Sequence, residues 1–513
     1  MSKRHVFYNS ISGGVLFGVN IVVAFFLSPV VVRELHDYGY GIWEILLSVF
    51  GYLGILELGV GPAFVRFVAR AAAQNDRVTM NRVVSSALAV LAGVGLLGFL
   101  AINALFLAPE RFLNIDTRAV PESRVLGLLL GLNFLVELIA TAFSAYMMGI
   151  QRHYVMNAVR IPLVVLQAVV TYLALTRWSG PGLAWLAAIL LGVSSVQLAV
   201  FSAWTLARDL SPQIRLSHVN RSTIRELYAF GLKSVMFLAA GRVPYWAVPI
   251  VIGWVLGLGQ VVFYAIPNRL AAYAAGLGTT LAFPLMPYFS ALDGKGERNA
   301  ILSAWFITTR TLQFVMFGMA VAMLVLGGPF ITRWIGSDYA VNGAWVIRCL
   351  SVALFIEAIS PNAGRVLISM NRHGRPAATG LAIALVGLPV TILLAKVAGV
   401  TGVGISVLLI RGSMAILWLA LTLRVLKLGM WEHLRRTALS IIPATSLFAA
   451  VCVGLRHLHE ADDYARLAVY GSVGGLTYAL AIWLFALRGQ ERDAILRFIR
   501  MSRLFAIANK REI

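Results

Sequence analysis

The chain has 513 residues, of which 59% are hydrophobic and only 13% are charged, and its mean hydropathy is +0.83. This composition excludes a soluble globular protein and predicts a membrane protein. The formal net charge of +21 lies mainly in loops between apolar runs, which is typical of membrane topology, so we predict no nucleic-acid partner.

Fourteen apolar runs follow one another along the chain, each long enough to cross the hydrocarbon core of a bilayer. The first run lacks a cleavage site of small residues, so we interpret it as a retained helix and not as a signal peptide. Cys349 and Cys452 both fall inside runs, which argues against a disulfide framework or a cysteine metal site. The predicted spans are 11–33, 40–63, 84–108, 123–148, 157–177, 182–207, 231–256, 261–288, 301–328, 344–369, 377–398, 402–424, 438–456 and 465–487.

Most lysines and arginines outside these spans fall in alternate loops and in the C-terminal tail. Because cytoplasmic loops carry the excess of positive charge, this bias predicts that both termini are cytoplasmic. This placement is consistent with an even number of spans, which puts both termini on the same side of the membrane. We therefore expect a multi-pass protein of the bacterial inner membrane.

An internal repeat at an offset of 220 residues relates the two halves of the chain. Its anchors are Phe25 with Tyr245, Phe26 with Trp246, Pro29 with Pro249, Gly39 with Gly259, Glu137 with Glu357, Arg152 with Arg372 and Gly182 with Gly402. Because the copies are displaced by six spans, an even number, they have parallel topology and a pseudo-twofold axis along the membrane normal.

The predicted fold class is an all-α polytopic membrane protein with about fourteen transmembrane helices: two six-helix lobes plus two C-terminal helices. Thr223 and Glu226 form a candidate capping box before span 7. The domains are an N-lobe at 1–207, a cytoplasmic linker at 208–230, a C-lobe at 231–425, spans 13 and 14 at 426–487, and a basic amphipathic tail at 488–513 that lies on the inner leaflet.

Charged residues inside the spans are distributed unevenly between the two copies, which makes them candidates for function. Guanidinium groups bind anions with several oxygens through bidentate, charge-assisted bonds, so the arginines predict a cationic substrate cavity. The alternative is that some of them snorkel or form structural pairs. The candidate substrate-binding residues are Arg269, Arg242, Arg310, Arg365 and Arg411, and the carboxylates suspected of ion coupling are Glu44, Glu57, Glu137 and Glu357.

Motifs for catalysis or metal binding are missing from the sequence. His457, His459 and Glu460 have the letters of a metal site but fall in a short external loop, where we interpret them as solvated charges. The chain shows no nucleotide-binding loop and no Gly-x-Ser-x-Gly. We therefore predict that the protein is not an enzyme and needs no cofactor or metal. Coupling to Na⁺ or H⁺ stays open.

Several segments resemble a known family. PVVVREL and YGYGIWEILLSVFGYLGILELGVGPAFVRFVA, with IRELYAFGLKS before span 7 and MGIQRHYVMN after span 4, resemble the bacterial oligosaccharide flippase (Wzx-type, polysaccharide transporter) family of the multidrug/oligosaccharidyl-lipid/polysaccharide exporter superfamily. The resemblance covers spans 1 to 12. One departure is His36, where the family usually has glycine. FYAIPNRLAAYAAGLGTTLAFPLMPYFSAL resembles the eighth helix of the lipid II flippase branch, whose arginine, here Arg269, lines the central cavity.

The resemblance implies transport by alternating access. The substrate would be a polyprenyl-pyrophosphate-linked oligosaccharide, flipped across the inner membrane for lipopolysaccharide, O-antigen or exopolysaccharide synthesis. Partners would be membrane lipids and the polysaccharide polymerase and glycosyltransferases of the same pathway. Two alternatives remain: a cation-coupled multidrug exporter of the same fold, and a membrane-integral glycosyltransferase or polymerase.

Overall fold

The computed structural model describes residues 3–55, 60–116, 122–207, 211–282, 285–458 and 463–487, with side chains throughout except at 3–7, 10, 230–238 and 287. Within these ranges every regular element is a helix, which confirms the predicted all-α class. The helices are α1 Lys3–Ile55, α2 Gly61–Ala73, α3 Arg77–Leu105, α4 Pro109–Leu113, α5 Ser123–Gly149, α6 His153–Arg177, α7 Gly182–Leu206, α8 Arg221–Val255, α9 Val261–Ala282, α10 Leu285–Gly294, α11 Arg298–Trp334, α12 Ser337–Asn342, α13 Ala344–Ala358, α14 Ala363–Ser369, α15 Gly374–Leu426, α16 Met430–Arg436, α17 Ile442–Leu458 and α18 Tyr464–Ala481. Short 3₁₀ turns lie at Leu216–His218, Leu258–Gln260 and Ala438–Ser440, and a π turn at Ile482–Ala486 ends the last span.

Nine helices in the described part of the chain are long and apolar enough to cross a membrane, or ten if α13 and α14 form one bent span. Two of the nine, α1 and α15, are 53 residues long and contain non-helical residues, at His36 in α1 and at Ala398 and Gly399 in α15. Since about 20 residues suffice to span the bilayer, each break agrees with a turn between two predicted spans. The total of fourteen stays a prediction.

The backbone at His36 has a conformation that favours glycine. His36 has φ 52° and ψ 176°, in the region with positive φ that glycine enters without a steric cost. The break joins the first two predicted spans, as expected from the sequence.

Residues with positive φ recur at nearly constant spacing. In the described part of the chain, ten of the eleven such residues form five pairs at offsets of 219 to 222 residues. The two members of each pair lie in corresponding turns of the two predicted copies. The pairs are His36 with Gly257, Asn75 with Gly296, Asn114 with Gly336, Gln151 with Asn371 and Gly180 with Gly399. The remaining residue, Lys427, lies beyond the repeat. The turns therefore agree with the predicted duplication even where their residue types differ.

The chain forms two compact units: Met1–Ala265 with Ala377–Ser406, and Ile266–Pro376 with Val407–Ile513. In the first unit, glycines allow α3 and α5 to approach closely. A Cβ at Gly98 would lie 2.2 Å from the Phe134 ring. In the second unit, Gly474 plays the same part between α18 and α17, since a Cβ there would lie 2.6 Å from Cys452 Sγ. The two lobes were predicted from the internal repeat, whereas these units are defined by compactness. The bounds of the lobes therefore stay a prediction.

Within the predicted span 2, α1 extends to Ile55 and α2 begins at Gly61, where Pro62 occupies a helix-starting position. One local prediction is wrong. Thr223 does not cap α8, because the helix begins two residues earlier and Asn220 accepts the Ser222 N–H as its N-cap.

Some predicted features lie outside the described residues. They are Glu57, His459, Glu460, the first three residues of the linker at 208–210 and the tail at 488–513.

Candidate functional site

The tenth predicted span is broken, and two candidate site residues flank the break. Helices α13 and α14 are bent by 44° relative to each other. Pro361 lies between them and has no N–H to continue a helical ladder. Glu357 is in the last turn of α13 and Arg365 is in the first turn of α14. The break therefore holds charged residues of both signs inside an otherwise apolar span.

Side chains from two other helices bind the backbone at this break. The Ile359 carbonyl accepts hydrogen bonds from Gln313 Nε2 at 2.7 Å and from His433 Nε2 at 3.1 Å. Asn362 Nδ2 donates to Thr308 Oγ1 at 2.9 Å. A broken helix within a membrane needs such partners, because lipid offers none.

Sequence reasoning missed these supporting residues. Gln313, Asn362 and His433 are all fully buried. Gln313 and Asn362 are amides inside predicted apolar spans, and that signal could have found them. His433 carried no such signal, since it precedes span 13 among charged residues.

Arg365 is half-buried, and in the described part of the chain it binds only neutral acceptors. Its guanidinium donates to the Pro361 carbonyl at 3.1 Å and to the Thr279 carbonyl of α9 at 3.4 Å. These bonds use two of the five N–H donors and leave the positive charge in place. Arg365 therefore keeps a charge and donors that can serve an anion.

Arg411 has a different environment. Its Nε and Nη2 donate to the two carboxylate oxygens of Glu357, each at 2.7 Å. The side chains are 24% and 26% exposed. In this bidentate pair the two charges neutralise each other. One predicted substrate-binding arginine and one predicted ion-coupling carboxylate are therefore already paired within the protein.

Arg310 is also engaged within the protein. It is 2% exposed, and its guanidinium donates to the Ala486 carbonyl in the π turn at the end of the last span. This contact fastens span 14 to span 9. The side chain therefore has a structural contact of its own.

Arg269 is half-buried on α9, directly after the buried Asn268. The same helix carries Thr279, which contacts Arg365. Ten residues of helix separate Arg269 from Thr279, which corresponds to ~15 Å along the axis. The backbone of Arg269 is thus about three turns of α9 away from the residue that Arg365 contacts. Arg242 is exposed on α8 and belongs to the other compact unit.

The two glutamates predicted to be repeat partners bind equivalent helices. Glu137 on α5 accepts a hydrogen bond from Ser194 Oγ on α7 at 2.9 Å. Glu357 on α13 binds Arg411 in the second part of α15. In each predicted lobe, the fourth span thus contacts the sixth, but with a hydroxyl in one and a guanidinium in the other. Glu44 is half-buried in the second part of α1.

A family model described as "Polysaccharide biosynthesis protein" matches residues 3–293. The chain belongs to this family. It is also 20% identical, over 504 residues, to a protein of Bacillus subtilis (strain 168) named "Uncharacterized membrane protein EpsK", with 95% of this chain and 96% of the relative covered. Together, the family and the apolar helices show that the chain is a multi-pass membrane protein of polysaccharide biosynthesis.

Solved structures of transporters share the fold. An inward-facing multidrug resistance MATE family transporter of the MOP superfamily superposes with a TM-score of 0.66 at 13% identity, over 80% of this chain and 94% of that one. A MOP superfamily transporter from Pyrococcus furiosus, described as having a binding pocket of reverse polarity, superposes with a TM-score of 0.62 at 14% identity, over 83% of this chain and 96% of that one. At these identities the likeness shows the fold alone.

Proposed function

We propose that the protein flips a polyprenyl-pyrophosphate-linked oligosaccharide from the cytoplasmic to the outer leaflet of the bacterial inner membrane, by alternating access and without covalent catalysis. Membership of the polysaccharide biosynthesis family and the transporter fold support a transport role in that process. The surface or exported polysaccharide, the polymerase and the glycosyltransferases that surround it belong to the same proposal.

The observation that carries this proposal is the environment of Arg365. This half-buried guanidinium at a helix break binds carbonyls and, among the described residues, no carboxylate. It therefore retains the positive charge that a pyrophosphate requires. A cation-coupled exporter of cationic drugs would gain nothing from such a group. The charge therefore favours an anionic substrate.

We assign different roles to the other arginines. Arg269 would contact the head group at a second depth, ~15 Å along α9 from the Arg365 contact. Arg310 and Arg411 would support the site, because their guanidinium groups already bind Ala486 and Glu357. Arg242 stays a prediction.

For ion coupling by Na⁺ or H⁺, we favour Glu137 over Glu357, and Glu44 stays a candidate. The Arg411 guanidinium already neutralises Glu357, whereas Glu137 accepts a bond from the neutral hydroxyl of Ser194. A carboxylate without a fixed cation can exchange a proton or a metal ion during a transport cycle.

The test is translocation of a fluorescent polyprenyl-pyrophosphate oligosaccharide in proteoliposomes. Arg365→Ala and Arg269→Ala should each weaken head-group binding about ten- to a hundredfold, the loss expected for one charge-assisted contact. Lysine at either position should restore part of the activity, because an ammonium keeps the charge and loses the bidentate fork. Arg436→Gln, which removes an exposed arginine paired with Glu432, is the matched control and should transport normally.

Full transport by both alanine variants at normal expression would contradict the assigned site. Export of a cationic dye by the wild type, without oligosaccharide translocation, would replace the proposal with a multidrug exporter. Transfer of sugar by the purified protein would replace it with a glycosyltransferase.

A further inference from the structure

The segment before α8 lies along the start of α3 and is fixed there by side chains. Three backbone N–H groups of residues 211–220 donate to side-chain oxygens of α3: Gln213 to Asn81 Oδ1 at 2.8 Å, Arg215 to Ser85 Oγ at 3.3 Å, and Asn220 to Ser86 Oγ at 3.0 Å. Ser85 and Ser86 are buried. Hydrogen bonds therefore hold the linker that leads into the second copy in a defined position on the first copy.

A cavity of about 370 Å³ lies between this segment and α3. That volume is at the lower end of the range of ~300–1,000 Å³ typical of small-molecule sites. Its polar lining consists of Asn81, Arg82, Ser217, His218 and Asn220. By the distribution of basic loops, this side of the membrane is the predicted cytoplasmic one.

The lining offers hydrogen-bond donors, because its amide acceptors are already used. Asn81 Oδ1 accepts the Gln213 N–H, and Asn220 Oδ1 accepts both the N–H and the hydroxyl of Ser222. Among the described residues neither NH₂ group donates a hydrogen bond, so both amides keep donors that an anion in the cavity can use. His218 donates its Nδ1–H to the Gln213 carbonyl at 2.9 Å.

Charge in the cavity is positive. Arg82 contributes a guanidinium, and none of the described lining residues is a carboxylate. Asp76 is the acidic group whose charge interacts with Arg82, but it caps α3. The side-chain and backbone hydrogen bonds from Thr79, with a smaller effect of Arg82, lower the pKa of the Asp76 carboxyl from its ordinary value. Asp76 thus has its own hydrogen-bond partners and lies outside the lining.

We propose that this cavity binds a phosphate-bearing anion, held by Arg82 and the amide NH₂ groups of Asn81 and Asn220. The anion is either the head group of an inner-leaflet phospholipid or a soluble phosphate compound, since both present the same oxygens to the same donors. Its binding connects α3 to the linker and so stabilises the position of residues 211–220 on α3.

The experiment is hydrogen–deuterium exchange of the purified full-length protein, followed at residues 211–220. One arm adds inorganic phosphate or pyrophosphate to protein in a neutral detergent. The other compares nanodiscs of phosphatidylcholine with nanodiscs that also contain phosphatidylglycerol. In one of these arms, the anion should slow exchange in the segment of the wild type.

Two variants remove the site by different means. Arg82→Gln removes the charge and should weaken binding about ten- to a hundredfold. Val78→Trp fills the cavity from an exposed position on its wall and should abolish the protection without changing the charge. Arg225→Gln removes an exposed arginine of α8 that does not line the cavity, and should behave as the wild type.

Protection only with phosphatidylglycerol, lost in Arg82→Gln and Val78→Trp, would identify a lipid. Protection by phosphate or pyrophosphate, lost in the same variants, would identify a soluble ligand. Equal protection of the wild type and both cavity variants, or no protection in either arm, would overturn the proposal. A failure of the flippase assay would leave these results unaffected.

Discussion

The ion pair between Glu357 and Arg411 makes a prediction that can be measured by a double-mutant cycle. Both bonds of the pair are 2.7 Å long, and about three-quarters of each side chain is shielded, at exposures of 24% and 26%. Two unit charges ~4 Å apart attract each other by about 4 kcal/mol at an effective dielectric constant of ~20. Breaking a fully buried pair by removing one partner costs about 3–5 kcal/mol. Because this pair is partly exposed, we expect about 2–4 kcal/mol for either single variant.

The variants are Glu357→Gln, Arg411→Met and the double change. Each single variant leaves one charge without its partner in an apolar span, whereas the double variant leaves none. The free energy of unfolding of the double variant should therefore exceed the additive expectation by about 2–3 kcal/mol. The assay is reversible unfolding of the purified protein in mixed micelles, with thermal stability as a second measure.

The chain supplies a matched control in Glu432 and Arg436, which lie four residues apart at exposures of 43% and 51%. An exposed helical pair of this kind is worth about 0.3–0.5 kcal/mol, so the same cycle there should show little coupling. Additivity of the Glu357 and Arg411 variants within about 0.5 kcal/mol would refute the reasoning. Both charges would then be solvated independently, and Arg411 would return to the set of arginines that can serve an anion.

Three further predictions concern the break in span 10, the packing of the first unit and the topology. Gln313→Leu removes one of the two side-chain donors to the Ile359 carbonyl and should lower the unfolding free energy by about 1–2 kcal/mol, measured in the same micelles. An unchanged value would mean that His433 alone suffices as donor. Gly41→Ala places a Cβ 2.0 Å from a backbone oxygen and should lower the unfolding free energy by about 1–3 kcal/mol. Gly54→Ala, with nothing within 4 Å of its Cβ, should lower it by less than about 0.5 kcal/mol. Equal effects of the two variants would contradict the packing. A cysteine at Gly180 should react with an impermeant thiol reagent in intact cells and one at Asn220 should not, because positive charge marks the cytoplasmic loops; the reverse pattern would invert the topology.

The sequence alone determined the class of the molecule and the places where its helices turn. Apolar length and the distribution of basic residues are local properties, so the helical spans could be located without tertiary information. The duplication was also readable, since one offset related residues along the whole of both copies. His36 marks a limit of the sequence, because histidine does not predict a positive φ and only the backbone shows it.

Only the tertiary structure decided which charged residues have partners. Arg411 meets a carboxylate 54 positions earlier, and Arg310 meets a carbonyl 176 positions later. Arg365, with the same side chain, binds only carbonyls within the described residues. These outcomes depend on the rotation and depth at which one helix packs against another. The order of apolar residues along the chain reveals neither the rotation nor the depth. In a membrane helix, the face toward lipid and the face toward protein can be equally hydrophobic.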